Sequence, residues 1–226
     1  MAESLQVHLL PGLVEPAVFQ GSVVVVIDVL RATGEAVILG GEREAIRIPG
    51  FDLGNSPQEY SWDKCQGKTL IFTTTNGTRA LLQAQPADKL ITAGFVNFSA
   101  VCEVLLEEKR PVHFLCAGTQ GHISLEDTLL AGAFLAALVP HRKDVMNDSA
   151  RLAWDTFEGH GLVISEALKL SAGGRQLAQE GLGEDIEWAA QVDRLMLVPE
   201  VRYDGIKRMY LQIGSVGLER RLWPGK

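Results

Sequence analysis

The sequence predicts an α/β fold, a three-layer sandwich around a largely parallel or mixed sheet. Val23–Ile27 is an unbroken β-branched run, which is typical of a central strand buried on both faces. Apolar strand patterns then alternate with helical patterns as far as residue 139. This alternation favours parallel strands, because parallel neighbours need crossover connections that are usually helical.

The organisation of the chain indicates one compact unit over residues 1–226. No low-complexity segment, charge block or clear linker marks a boundary, and 226 residues are enough for one large core. A unit of strand, polar loop and helix recurs after Ile27, Phe72 and Ala117. Two intertwined similar halves that meet near residue 110 are therefore an alternative arrangement of the same fold.

Local patterns predict the elements of the first half in order. A turn at Pro11-Gly12 follows a first short strand, Gln6–Leu10, and Gly40-Gly41 ends a helix predicted for Arg31–Leu39. Apolar residues at helical spacing predict another helix that ends near Ala84. Apolar and β-branched runs predict the remaining strands, at residues 23–27, 45–48, 69–72 and 90–93.

The second half is predicted to be richer in helix. Asn97 or Ser99 caps an amphipathic helix that ends near Glu108, and Pro140 ends the strongest helical pattern, Leu125–Val139. A mainly helical pattern from residue 149 to 191 is interrupted by glycines. Strands are predicted at residues 112–117, 195–198 and 207–212.

Composition excludes several classes of protein. A net charge of −7 argues against a nucleic-acid partner, which would require a basic surface. Three cysteines without metal-ligand spacing fit a reducing cytosol, and no signal peptide or membrane-length apolar run is present. The five histidines lack ligand spacing, which argues against a zinc centre and a Ser-His-Asp triad. We therefore expect a cytoplasmic protein with no membrane partner.

The most informative loop is residues 73–79, where an apolar strand pattern turns directly into a helical one. Gly77 lets the backbone approach a ligand, Arg79 can bind an oxyanion with its guanidinium fork, and a helix N-terminus attracts anions. The alternative is that one of the polar side chains caps the helix and that Arg79 is a solvated surface residue. The candidate substrate-binding residues are Thr74, Thr75, Asn76, Gly77 and Thr78.

A second candidate site begins at Asp28, which directly follows the predicted central strand. The carboxyl ends of strands are the usual ligand-binding side of an open α/β sheet. Asp28 could bind a divalent cation or attack phosphorus, and Arg31 could bind a phosphate; the alternative is that Asp28 caps the next helix. The segment differs from the Asp-x-Asp start of haloacid-dehalogenase-type phosphatases, because Leu30 replaces the second aspartate.

The third candidate site is the glycine loop of residues 116–127, in which Gly118 is a candidate substrate-binding residue. A Cys-x5-Arg phosphatase is excluded, because position 122 is a histidine, so Cys116 is interpreted as a packing residue. Ser124 and Asp127 match a looser capping box. Glu126 and Asp127 are also adjacent carboxylates of the kind that suits Mg²⁺, which uses one or two of them.

Other polar positions are less distinctive. Asn55 and Ser56 lie in a rigid loop, residues 54–60, which could orient a substrate or be an ordinary turn. Asn97 follows a predicted strand, where it could bind substrate or cap a helix. Asp185 and Asp193 lie eight residues apart and would share one face of a continuous helix.

Five segments, in this order, together resemble the 2-phosphosulfolactate phosphatase family, which is associated with coenzyme M biosynthesis. The resemblance runs from about residue 5 to Pro199. It implies an α/β fold distinct from the better-known phosphatase superfamilies and a Mg²⁺-dependent removal of phosphate from 2-phospho-3-sulfolactate. The segments that carry it are residues 28–33, 54–60, 74–80, 116–118 and 124–127.

The resemblance leads to a hypothesis for the mechanism. Asp28 and one or both of Glu126 and Asp127 would bind Mg²⁺, and Arg31 and Arg79 would hold anionic groups of a small phosphorylated substrate. In a rival mechanism, Asp28 is a nucleophile that forms an aspartyl phosphate. A non-catalytic module that binds a phosphorylated or sulfonated metabolite is a further alternative, and whether the protein forms a homodimer is left open.

Overall fold

The structure is a computed structural model that describes residues 4–27, 38–43, 45–66, 68, 70–141, 145–160, 163–203, 209–215 and 222–224. Asp28 and Arg31, two of the predicted catalytic residues, therefore lie outside the described residues. Most of the helix predicted for residues 31–39 also lies there.

The architecture is the predicted α/β fold. The strands are β1 (Ser4–His8), β2 (Val23–Ile27), β3 (Ile38–Arg43), β4 (Ile46–Arg47), β5 (Leu70–Thr73), β6 (Lys89–Ala93), β7 (Val112–Cys116), β8 (Val145–Met146), β9 (Leu197–Tyr203) and β10 (Met209–Ser215). The helices are α1 (Trp62–Cys65), α2 (Gly77–Gln83), α3 (Phe98–Glu107), α4 (Leu125–Leu138), α5 (Asp148–His160), α6 (Ile164–Leu170), α7 (Ala172–Gln179) and α8 (Gly183–Ala189).

Seven strands form the main sheet in the order β10-β9-β6-β2-β7-β1-β8. The five strands from β6 to β8 in this order are parallel, whereas β9 runs antiparallel to β6 and β10 antiparallel to β9. The sheet is thus mostly parallel with an antiparallel edge. β2 lies between β6 and β7, so the central position predicted for Val23–Ile27 is confirmed.

Alternation along β2 produces the layered arrangement. Val23, Val25 and Ile27 pack into a large core with helices α3 to α8, and Val24 and Val26 pack on the opposite face with residues of α2. Successive side chains of a strand point to opposite faces, so one buried strand supplies both cores. This places helices on both sides of the sheet.

A second, three-stranded sheet lies apart from the main one, in the order β4-β3-β5. The helix predicted for residues 31–39 is wrong at its C-terminal end. Leu39 lies in strand β3, and Gly40-Gly41 continue that strand instead of ending a helix. A Cβ atom at Gly41 would collide with the carbonyl oxygen of Thr73, and one at Gly40 would collide with the hydroxyl of Tyr60. The glycines therefore allow close packing within the small sheet.

The sequence spacing suggested that Asp185 and Asp193 share one helix face, and the structure differs. α8 ends at Ala189, and Asp193 lies beyond it with a φ of 56°, so Asp185 and Asp193 do not share one helix. Among the described residues, no helix combines the length and hydrophobicity that a membrane span needs.

Candidate active site

The candidate site is at the carboxyl ends of β2 and β7. These strands are parallel and in register, with Ile27 opposite Cys116, and the amide of Ala117 donates a hydrogen bond to the carbonyl of Ile27 at 2.8 Å. The carboxyl ends of these two strands, Ile27 and Cys116, therefore lie side by side. This is the edge at which an open α/β sheet usually binds its ligands.

The loop after β7 turns back sharply before α4 begins. Thr119 and His122 exchange two backbone hydrogen bonds of 2.9 Å, across Gln120 and Gly121, which both have positive φ. Gly118 has a φ of 72°, and a Cβ atom there would lie 2.6 Å from the carbonyl oxygen of His122. Glycine is therefore required at position 118 by backbone geometry, whether or not it also approaches a substrate.

The first turn of α4 uses its two carboxylates differently. The Ser124 hydroxyl accepts a hydrogen bond from the amide of Asp127 at 3.3 Å, so the predicted N-cap is confirmed. The Asp127 carboxylate accepts a hydrogen bond from the amide of Gly118 at 2.9 Å. Asp127 thus joins the glycine loop to the helix.

Glu126 is buried, with 3% of its surface exposed, and its Oε2 atom has no hydrogen-bond partner among the described residues. A buried carboxylate oxygen without a partner is costly unless a proton or cation satisfies it. Burial raises the pKa of the Cys116 thiol, and the nearby carboxylates of Asp127 and Glu126 raise it further. Cys116 is therefore a protonated packing residue, and both carboxylates lie close to the end of β7.

The described residues do not contain a complete metal site. No group of three or more histidine, cysteine, aspartate or glutamate side chains within them could hold a metal ion. Mg²⁺ needs only one or two protein carboxylates, since it usually keeps several of its waters. The predicted ligands Glu126 and Asp127 lie together, whereas Asp28 is outside the described part of the chain.

The loop from Thr74 to Arg79 is held by its own polar groups. The Thr74 hydroxyl accepts a hydrogen bond from the amide of Thr78 at 3.2 Å, and the Thr78 hydroxyl accepts one from the amide of Thr74 at 3.1 Å. The Asn76 side-chain oxygen accepts a hydrogen bond from the amide of Gln120 at 3.2 Å, which links this loop to the glycine loop. The structure thus brings together two of the predicted sites.

Glu42 is a residue of this region that the sequence reasoning missed. It is fully buried, and its carboxylate accepts hydrogen bonds from the amide of Thr75 at 2.8 Å, the hydroxyl of Thr75 at 3.3 Å and the amide of Ala45 at 2.8 Å. The amide of Thr75 is therefore already used within the protein. A lone acid after two glycines carries no sequence signal for this role.

Arg79 and Gly77 are the parts of the loop best placed for an anion. Arg79 is exposed in the first turn of α2, whereas Gly77 is buried. Because the amides of Thr74, Thr75 and Thr78 are occupied, the backbone donors that the loop offers to an anion reduce to the amides near Gly77, beside the Arg79 guanidinium. The prediction that the threonine hydroxyls bind substrate gains no support from this geometry.

Residues 54–60 form a loop braced on both sides. The Gly54 amide donates to Glu59 at 3.0 Å, and the Tyr60 hydroxyl donates to the Gly54 carbonyl at 2.6 Å. The Ser56 hydroxyl donates to Asp185 at 2.6 Å, and the Asn55 Oδ1 atom is buried with no hydrogen-bond partner among the described residues.

Asn97 and the histidines have structural contacts. The Asn97 side chain accepts a hydrogen bond from the Gly94 amide at 2.8 Å and donates one to the Leu197 carbonyl at 3.1 Å, so its amide ties two backbone segments together. Its predicted contact with substrate gains no support.

His8 and His113 stack and share a hydrogen bond of 2.9 Å. Burial lowers the pKa of both side chains, that of His113 to about 4.

The sequence of this chain matches one family of known proteins. The sequence model of the 2-phosphosulpholactate phosphatase family matches residues 34–204. Proteins named "Probable 2-phosphosulfolactate phosphatase" are similar to this chain in Thermotoga petrophila (40% identity, covering 76% of this chain and 74% of the relative), Symbiobacterium thermophilum (39%, covering 72% and 70%) and Deinococcus radiodurans (39%, covering 75% and 71%).

The matched residues include the small sheet, the glycine loop, the first turn of α4 and the strands β6, β7, β8 and β9 of the main sheet. Identity of this level over more than two thirds of both chains agrees with the resemblance carried by the five sequence segments. The chain therefore belongs to the 2-phosphosulpholactate phosphatase family and, as a member of it, is a phosphatase.

Proposed function

We propose that this protein hydrolyses the phosphate ester of 2-phospho-3-sulfolactate to 3-sulfolactate and inorganic phosphate, with Mg²⁺ as cofactor. The names of the similar proteins support the substrate. The observation that supports the cation is the buried Glu126 carboxylate, one oxygen of which has no hydrogen-bond partner among the described residues. An anion-binding protein would gain nothing from such a carboxylate unless a cation lay between it and the ligand.

The donor set at this edge fits Mg²⁺. Glu126 supplies a hard oxygen that no described residue hydrogen-bonds, and Asp28, which follows Ile27 in the sequence, supplies the second carboxylate of the proposal. Asp127 is less suited, because its carboxylate already accepts a hydrogen bond from Gly118. When bound, Mg²⁺ would offset phosphate charge and lower the pKa of bound water.

The remaining groups of the site bind and orient the substrate in this proposal. Arg79 and Arg31 hold anionic groups by charge-assisted hydrogen bonds, and the amides near Gly77 add backbone donors. Asn55 orients the end of the substrate remote from the phosphate. Phosphoryl transfer depends mainly on positioning and electrostatic stabilisation, so several separate anion contacts are expected for a substrate with phosphate, carboxylate and sulfonate groups.

A substrate panel tests the proposal. Phosphate release is measured from 2-phospho-3-sulfolactate, phospholactate and phosphoglycerates, with Mg²⁺ and with EDTA. We expect the highest kcat/KM for 2-phospho-3-sulfolactate and loss of turnover in EDTA that added Mg²⁺ restores. Binding without hydrolysis of any ester would instead favour a non-catalytic module, and equal activity in EDTA would contradict the metal.

The route of phosphoryl transfer is a separate question. We propose direct attack by water, with Asp28 as a metal ligand. Quenching the enzyme during turnover of substrate labelled at phosphorus distinguishes the routes, since a labelled protein that is stable in acid and labile to hydroxylamine would identify an aspartyl phosphate. Asp28→Asn is expected to fold and lose Mg²⁺-dependent turnover.

The location of the enzyme follows from its cysteines. Cys65, Cys102 and Cys116 are free thiols, two of them buried. Free thiols of this kind are typical of proteins that remain in a reducing compartment. We therefore propose that the enzyme acts in the cytoplasm.

A further inference from the structure

We propose that Asp185 in α8 is a positioning residue, which fixes Asn55 in the substrate site by holding the neighbouring Ser56. This inference rests on the proposed function, because Asn55 is taken to orient the substrate. It also revises the predicted role of Ser56, whose hydroxyl becomes a support for the loop and no longer a substrate ligand.

The first observation is the hydrogen bond between α8 and the loop of residues 54–60. The Ser56 hydroxyl donates to Asp185 Oδ1 at 2.6 Å, and the Gln58 side-chain amide approaches the same oxygen at 3.5 Å. Ser56 and Asp185 are both buried, with 9% and 5% of their surfaces exposed. A hydroxyl has one proton to donate, so the proton of Ser56 is committed to Asp185.

The second observation is that the backbone around Asn55 is fixed while its own side chain is not satisfied. Gly54 is held through its amide by Glu59 and through its carbonyl by Tyr60. Ser56 is held by Asp185 on the other side. Asn55 Oδ1 is buried between these anchored neighbours without a hydrogen-bond partner among the described residues.

The third observation is where α8 lies relative to the main sheet. Shortly after α8, the amide of Asp193 donates to the carbonyl of Phe95, directly after β6, at 3.0 Å, and the amide of Leu195 donates to the carbonyl of Val96 at 2.7 Å. The segment after α8 is therefore tied to the carboxyl end of β6, which is the neighbour of β2. Asp185 therefore holds the loop of Asn55 to a helix whose following segment is tied to the end of β6.

A second buried aspartate provides a matched control. Asp193 accepts hydrogen bonds from the amide and the hydroxyl of Ser99, both at 2.7 Å. This pair shares the hydroxyl-to-carboxylate hydrogen bond of Ser56 and Asp185 and adds an amide hydrogen bond, but it braces the start of α3 and not the loop of Asn55. Ser56→Ala and Ser99→Ala therefore remove comparable buried hydrogen bonds, and only the first bears on Asn55.

Steady-state kinetics with 2-phospho-3-sulfolactate test the inference. We expect Ser56→Ala and Asp185→Ala to raise KM about tenfold with kcat changed less than about threefold, since a contact made equally in the ground and transition states affects mainly KM. Asp185→Asn, which keeps an acceptor oxygen for Ser56, should recover most of the affinity. Ser99→Ala should keep the wild-type KM.

A double-mutant cycle separates positioning from general loss of structure. If Asp185 acts through Asn55, Asn55→Ala combined with Ser56→Ala should have the same kcat/KM as Asn55→Ala alone. Additive losses would overturn the inference, as would a wild-type KM in Ser56→Ala. Because Ser56→Ala leaves the carboxylate in place, it also serves if Asp185→Ala does not fold.

Amide hydrogen exchange without substrate keeps this test independent of the proposed function. Faster exchange in residues 54–60 of Ser56→Ala than of Ser99→Ala is expected, and unchanged exchange would overturn the positioning role. Should the wild-type protein hydrolyse no phosphate ester, the proposed function fails, while the exchange result still decides whether Asp185 orders this loop.

Discussion

Two strand-to-helix junctions of this protein are both rich in polar residues and glycine, but they differ in how their polar groups are hydrogen-bonded. Between β5 and α2, hydroxyls and a buried glutamate hydrogen-bond the amides of Thr74, Thr75 and Thr78. Between β7 and α4, Asp127 accepts a hydrogen bond from the Gly118 amide, while Oε2 of the neighbouring Glu126 is buried and has no partner within the part of the chain that the structure describes. The first junction is largely satisfied by the protein itself, and the second keeps an acceptor available for a ligand.

The difference shows that polar residues after a strand do not by themselves define a binding site. A polar group that already has its protein partner contributes to folding, whereas a buried group without one indicates a missing ligand. By this criterion, Glu126 is a stronger candidate for chemistry than the threonines of the β5–α2 junction. Arg79 is the exception in that junction, because its guanidinium is exposed.

The largest effect is expected from Glu126. Glu126→Gln should lower kcat/KM by about 10²–10³-fold and weaken Mg²⁺ binding, because it removes the charge that the proposed cation needs. The melting temperature should not fall, since a neutral amide replaces a buried charge. Kinetics, calorimetric titration with Mg²⁺ and thermal unfolding measure the three outcomes.

Glu107→Gln, at an exposed position in α3, is the control for loss of one negative charge. It should leave all three measurements unchanged. Full activity of Glu126→Gln would remove the distinction between the two junctions.

The second-largest effect on kcat/KM is expected from Arg79, the exposed arginine of the β5–α2 junction. Arg79→Ala should lower kcat/KM about 10–100-fold, which is the loss expected for one hydrogen bond to a charged group of ~1.5–3 kcal/mol. Stability should change little, because the side chain is exposed. Arg151→Ala, in α5, is the matched control for removal of an exposed arginine. A wild-type kcat/KM in Arg79→Ala would show that the arginine is only solvated.

The fold was predictable from sequence where strands are buried on both faces. Val23–Ile27 and Leu125–Leu138 are recognisable because continuous apolar runs and helical spacing are local properties. The small sheet was not predictable in this way, because the glycines of β3 resemble the end of a helix in the sequence. The reason for these glycines is their close packing against Thr73 and Tyr60.

The candidate site was predictable only where it depends on local sequence. Strand ends and residue types select Glu126, Asp127 and Arg79 as polar groups that follow a strand, and their roles stay predictions. Whether such a group is satisfied depends on residues distant in sequence, such as Glu42 for Thr75 and Asp185 for Ser56. A local pattern contains no information about these partners.

A smaller effect on activity, but a clear one on stability, is expected from Asp127. Asp127→Ala removes the acceptor for the Gly118 amide and should lower the free energy of unfolding by about 1–3 kcal/mol. Asp127→Asn, which retains one oxygen, should recover part of it. Denaturant unfolding measures the loss. If Asp127→Ala instead abolished Mg²⁺ binding at unchanged stability, Asp127 would have the metal-binding role that we propose for Glu126.

The smallest effect is expected from the paired threonines. Thr74→Ala or Thr78→Ala removes one of two reciprocal hydrogen bonds and should cost about 1 kcal/mol of unfolding free energy, as for a helix cap. Serine at either position keeps the hydroxyl and should restore stability. The value of kcat/KM should change less than about threefold, because we expect these hydroxyls to support the loop by holding its backbone amides. A large loss of kcat/KM at unchanged stability would mean that the hydroxyls contact the substrate, and the two junctions would then form one binding surface.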